Sequence, residues 1–101
     1  REFLHVQDLA ESIIFLFDKK LNNSIYNVGS NDELSILELS KIISETIGYE
    51  GKIIWDDSFP NGTPRKKLDS SKLNKLGWKP KINLKEGISK VYRFYLDNYF
   101  E

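Results

Sequence analysis

Residues 60–67 read Pro60-Asn61-Gly62-Thr63-Pro64-Arg65-Lys66-Lys67, and no other stretch restricts this chain as tightly. Two prolines and a glycine so close together cannot continue a helix or a central strand. Pro64 fixes its own φ and pushes Thr63 toward an extended conformation, so the loop has few shapes open to it. It separates a strand-like run, Lys52-Ile53-Ile54-Trp55, from a polar turn, Asp69-Ser70-Ser71. A stiff backbone that presents Arg65 and Lys66 at a fixed place suits a phosphorylated small molecule, because Arg offers a bidentate fork and Lys a point charge. The plain alternative is a solvated basic turn, the commoner outcome for an isolated basic loop.

Charge is distributed unevenly along the chain. Net charge is zero over 101 residues, but residues 1–60 carry a net of −6 and residues 61–90 a net of +7. A basic segment can attract nucleic acid. Apart from Trp78, however, these cations have no interleaved aromatics, and no nucleic-acid motif is present, so a local anion site or a solvated face is the better reading. Hydrophobic residues make up 40% and charged residues 30%, an ordinary globular balance. No run approaches the ~18 apolar residues of a membrane helix, and no signal peptide is visible. There is no cysteine, which excludes disulfides and thiolate chemistry and fits a reducing cytosol. The chain opens on Arg1 inside a β-like run, the expected look of a piece of a longer protein.

The pattern predicts alternating elements. Residues 1–6 read as a short strand. Asp8 is placed to cap a helix over about 7–18, in which Leu9, Ile13, Leu16 and Phe17 recur at helical spacing. A polar turn over 19–23 leads to a second strand, 24–28, stopped by Gly29. Ser35 and Glu38 have capping-box spacing, and the stripe Ile36, Leu39, Ile42, Ile43, Ile47 runs on to Gly48. A third strand is expected over 51–55 and a short helix over 70–76, closed by Gly77. Asn83 and Glu86 repeat the capping-box spacing ahead of a helix to about Tyr99. The class is therefore α/β, with about three short strands and four helices. The helices carry more apolar stripe than so thin a sheet can cover, which predicts exposed apolar surface awaiting a partner domain.

Little else carries chemistry. His5 is the single histidine and shares a strand face with Phe3, so a structural role is favoured over a catalytic one. No nucleophile elbow, H-E-x-x-H, cysteine pair or P-loop occurs. Asp56 and Asp57 are adjacent carboxylates whose side chains tend to point apart, so a solvated pair outweighs a Mg²⁺ site. The run Tyr26-Asn27-Val28-Gly29-Ser30 is half of a dinucleotide loop, without G-x-G-x-x-G and without a helix directly after it. Trp78 is expected as a core aromatic.

Taken together, these segments resemble one family. Arg1-Glu2-Phe3-Leu4-His5-Val6-Gln7-Asp8-Leu9-Ala10 resembles the segment R-E-F-L-H-V-D-D, followed by Met or Leu and Ala, of GDP-L-fucose synthases, which are extended short-chain dehydrogenase/reductases. Tyr26-Asn27-Val28-Gly29 resembles their I-N-V-G strand end, and Ser35-Ile36-Leu37-Glu38-Leu39 their S-I-R-E-L helix start. Pro60-Asn61-Gly62-Thr63-Pro64-Arg65-Lys66 resembles their P-D-G-T-P-R-K loop, the most specific of these signals. Leu76-Gly77-Trp78 and the closing stretch 92–98 match in the same order.

The resemblance implies the fold and the chemistry. Family members join an N-terminal Rossmann domain to a smaller C-terminal substrate domain. They convert GDP-4-keto-6-deoxymannose to GDP-L-fucose by epimerisation at C3 and C5 and NADPH-dependent reduction at C4. It implies that residues 1–101 are a single C-terminal substrate-binding domain, without the Rossmann domain and inactive alone. NADP(H) and the catalytic residues then belong to the rest of the parent, a cytoplasmic enzyme and expected homodimer. It implies substrate-binding roles for Arg1, Asn61 and Lys66, and the stiff loop adds Arg65. Asn61 and Gln7 stand where the family usually has aspartate; asparagine keeps an acceptor oxygen but loses the charge, which leaves the sugar open. Related nucleotide-sugar epimerases, dehydratases or reductases, and a non-catalytic sugar-nucleotide-binding or interaction module, remain as alternatives.

Overall fold

In the computed structural model, which describes residues 1–21 and 24–100, each of the three long helices begins on a side chain that accepts a backbone N–H. Such caps satisfy donors that the first turn leaves without partners. Helix α1 spans Val6–Phe17 and is capped by His5, whose Nδ1 accepts the Gln7 N–H at 3.1 Å. Helix α2 spans Ile36–Ile47 and starts on the full capping box: Glu38 N donates to Ser35 Oγ at 3.1 Å, and Ser35 N to Glu38 Oε2 at 2.7 Å. Gly48, at φ +70°, closes it in the left-handed conformation. Helix α3 is a single short turn, Ser71–Lys75. Helix α4 spans Leu84–Tyr99, with Asn83 Oδ1 accepting from Glu86 N at 2.9 Å. Only half of the second capping box forms, because the Glu86 carboxylate faces Lys90 at 3.4 Å instead.

The four expected helices are present, but the three expected strands are not. Residues 24–28 and 51–55 are extended without a ladder, and residues 1–5 contribute one isolated antiparallel bridge, Glu2 opposite Glu33. The physical reason is that a strand exists only where a second strand accepts its hydrogen bonds, and short apolar runs acquire none from periodicity alone. The polar turn expected over 19–23 lies partly outside the described residues. Asp8, expected as the cap of α1, has a different task. Its carboxylate is buried at 1% exposure and accepts the backbone N–H groups of Lys81 and Ile82.

The molecule is a slab of 50 × 36 × 18 Å. Its radius of gyration, 16.7 Å, exceeds the ~13 Å of a compact domain of this length. A slab 18 Å thick is less than two helix diameters, so many side chains have no layer above them. Among the described residues Leu73 and Trp78 are the buried hydrophobic side chains, and Trp78 thus takes its expected core place. Ile13, Ile14 and Phe17 of α1 and Val91, Phe94 and Tyr99 of α4 are exposed, Phe17 to 88%. Between α2 and α4 runs an apolar groove of about 580 Å³ lined by Phe3, Leu39, Ile43, Ile47, Ile88 and Val91. The exposed apolar surface expected from the stripes is therefore present.

Candidate substrate site

The site forms where the start of the chain meets the stiff loop. Arg1 and Leu34 exchange both backbone hydrogen bonds, at 2.7 and 3.0 Å. The next pair, Glu2 and Glu33, then stands directly opposite with no hydrogen bond between the two residues, the arrangement that brings side chains closest. Like charges so placed repel, and each carboxylate needs donors of its own.

Glu33 finds them in the loop. Arg65 donates to it through Nε and Nη2, both at 2.7 Å, in a bidentate pair. The hydrogen bond from Arg65 holds the Glu33 carboxyl below its ordinary value of 4.5, against a smaller opposing effect of desolvation, and the same pairing raises Arg65. Glu2 finds its donors in the backbone: Asn31 N at 2.8 Å and Leu68 N at 3.2 Å. Asn31 takes φ +63°, a left-handed conformation that asparagine tolerates, and so turns its N–H onto the carboxylate. Gly29 makes room for it, since a Cβ there would lie 2.6 Å from Glu2 Oε1.

Arg1 reaches the same loop. Its Nη2 lies 3.4 Å from where a Cβ on Gly62 would stand, so the guanidinium rests against the Asn61-Gly62 turn. The structure thus brings Arg1, Asn61 and Arg65 to one edge, with Lys66 next in sequence. The whole loop 60–67 is exposed. Arg65 is engaged by Glu33, whereas among the described residues no ion pair involves Lys66. A polar hollow of about 510 Å³ beside the loop is lined by Asn31, Arg65, Lys67, Ser70 and Asn74. Lys66, between two of these in sequence, does not line it, as alternation along an extended segment dictates. Glu2, Glu33, Gly29 and Asn31 were not legible in the sequence as parts of this edge, because their partners lie far away in sequence, 29 to 66 residues for the hydrogen-bonded ones.

The remaining candidates resolve simply. His5 caps α1, and Gly87 lets α4 pass it, a Cβ there lying 3.1 Å from His5 Cδ2. Asp56 accepts from Ser58 N and Oγ, and these hydrogen bonds lower its carboxyl. Among the described residues no group of three acids or histidines could hold a metal. At Gly29, the end of the half-length dinucleotide run, the Glu2 carboxylate packs against the backbone.

No family model matches the chain. A curated GDP-L-fucose synthase 1 of Arabidopsis thaliana is 50% identical over 98 residues, covering 97% of this chain and 30% of that protein. Along almost its whole length the chain matches a C-terminal part of GDP-L-fucose synthases. It spans about 30% of the length of the curated relatives it matches. Solved structures of GDP-sugar reductases match the same stretch. A GDP-6-OMe-4-keto-L-xylo-heptose reductase from C. jejuni superposes with TM-score 0.86 at 34% identity, over 96% of this chain and 31% of that one. A GDP-mannoheptose C4 reductase from Campylobacter jejuni, solved with NADP bound, gives TM-score 0.80 at 34% identity, over 94% of this chain and 31% of that one. The family resemblance carried by the opening segment and the G-T-P-R-K loop therefore holds along almost the whole chain.

Proposed function

We propose that this chain is the C-terminal substrate-binding part of an NADPH-dependent enzyme that epimerises and reduces a GDP-4-keto-6-deoxy sugar to GDP-L-fucose. The observation that carries this is the approach of Arg1 to Gly62, which joins two segments 61 residues apart into one cationic edge. Arg1 and Lys66 are the cations for the pyrophosphate, and Asn61 supplies an amide for a sugar or ribose hydroxyl. Arg65 stands beside them with part of its guanidinium committed to Glu33. The half-length dinucleotide run at Gly29 faces a carboxylate, so NADP(H) is assigned to the remainder of the parent polypeptide. The exposed faces of α1 and α4 are assigned to packing against that remainder. A homodimeric, cytoplasmic parent completes the proposal.

The test is a titration of GDP-sugar into the complete polypeptide that carries these residues. Saturable binding, weakened by Arg1→Ala with NADPH binding intact, supports the reading. Absence of GDP-sugar binding by the unaltered polypeptide overturns it.

A further inference from the structure

Two acidic residues opposite each other in a non-hydrogen-bonded pair are a costly arrangement, yet Glu2 and Glu33 occupy it. Both carboxylates leave on the same face of the bridge, and both end on the same short stretch of the loop. Glu33 holds the side chain of Arg65, and Glu2 holds the backbone N–H of Leu68. The grips are three residues apart, and Lys66 lies between them. The other Glu2 oxygen is fixed on Asn31 N, so the bridge, the 29–31 turn and the end of the loop share one anchor. Bidentate pairing sets both the position and the plane of a guanidinium, whereas a single contact would set only its distance.

We propose that Glu2 and Glu33 are positioning residues that clamp the loop on both sides of Lys66 and so fix Lys66 and Arg1 for a GDP-sugar. The proposal rests on the reading given under Proposed function. Arg65 is then a handle for the clamp and not itself a phosphate ligand. Neither acid touches the substrate, and an anionic ligand would be repelled by either one if its partners were removed. The bridge orients Arg1 by the same stroke, because Arg1 is the residue hydrogen-bonded to Leu34 directly beside the acidic pair.

The test uses the complete polypeptide, with GDP-sugar and NADPH titrated separately. Glu33→Ala should weaken GDP-sugar binding by about tenfold to a hundredfold, the scale of a misplaced contact, and leave NADPH binding unchanged. Arg65→Ala added to Glu33→Ala should cost nothing more, because the two residues act as a unit. The exchanged pair Glu33→Arg with Arg65→Glu should recover part of the loss. Glu33→Gln, which keeps the size and one acceptor, serves if Glu33→Ala does not fold. GDP-sugar binding that is unchanged in Glu33→Ala overturns the clamp. So does a further tenfold loss from Arg65→Ala in that background, which would make Arg65 a ligand. Equal losses of NADPH and GDP-sugar binding would mean general unfolding and also overturn it. If the unaltered polypeptide binds no GDP-sugar, it is the functional reading that fails.

Discussion

Asp8 accepts the backbone N–H of Lys81 at 3.1 Å through one carboxylate oxygen, across 73 residues of sequence. Its other oxygen accepts from Ile82 at 2.9 Å, so one buried side chain in the first turn of α1 ties down the approach to α4. The exposed Lys81–Glu11 pair at 3.6 Å joins the same segments more loosely, and in a slab with so small a core the buried tie matters more than usual.

Asp8→Ala should therefore destabilise the polypeptide by about 2–4 kcal/mol, because two backbone donors lose an ionised acceptor. Asp8→Asn keeps one acceptor oxygen and should lose roughly half as much. Denaturant unfolding of the parent and both variants checks the order. A loss below about 0.5 kcal/mol for Asp8→Ala would show that water replaces the carboxylate at no cost.

What could be read from sequence divides by range. The capping box of Ser35 and Glu38, the closure at Gly48 and the asparagine at Asn83 act over a few residues, and the structure forms them where spacing puts them. Asp8 misled because a first-turn acid looks like a cap, while its partners sit at the far end of the chain. His5 supplied the cap instead, so its structural role was legible but its task was not. The runs 24–28 and 51–55 have strand composition, yet composition names no partner, and no ladder forms. The loop 60–67 was readable as irregular from its prolines and glycine and as cationic from Arg65, Lys66 and Lys67, and it is an exposed loop. The acids that hold it were invisible, since neither Glu2 nor Glu33 lies near it in sequence.

Gly29→Ala should reproduce the effect of Glu2→Ala. The added methyl would stand 2.6 Å from Glu2 Oε1 and drive the carboxylate off Asn31 N and Leu68 N. Each single change should cost about 1–3 kcal/mol. Combining them should cost no more than Glu2→Ala alone, because the second has nothing left to disturb. Additive losses in the double variant would place the role of Gly29 elsewhere.

Acid should release the loop. The hydrogen bond from Arg65 lowers the Glu33 carboxyl below 4.5, with the charges of Arg65 and Lys67 acting in the same direction. A carboxyl lowered in the folded state stabilises fully above its unfolded value and loses that contribution as pH falls through the folded one. The Glu38 and Asp69 carboxyls are lowered as well, by hydrogen bonds from Ser35 and Ser71, and add in the same window. The stability difference between the parent and Arg65→Met should hold steady near neutrality and shrink below pH 4.5. Thermal unfolding of both proteins from about pH 7 to about pH 3 measures it. A difference that stays constant over that range would show that Glu33 and Arg65 do not pair in solution.

The two lysines after Arg65 separate two placements of the substrate. Lys67 shares the polar hollow with Arg65, Asn31 and Asn74, while Lys66 stays outside it. If the GDP-sugar lies along the edge made by Arg1 and the Asn61-Gly62 turn, Lys66→Ala should weaken binding by about tenfold to a hundredfold. That corresponds to one charged hydrogen bond of ~1.5–3 kcal/mol. Lys67→Ala should then change binding less than about threefold, as expected of a screened surface charge. The reverse order would move the pyrophosphate into the hollow and give Asn31 and Asn74 the contacts now assigned to Asn61. Equal losses at both positions would indicate a diffuse positive field without a shaped site. Isothermal titration at two ionic strengths distinguishes these outcomes, because a diffuse field fades with salt while a directional hydrogen bond largely persists.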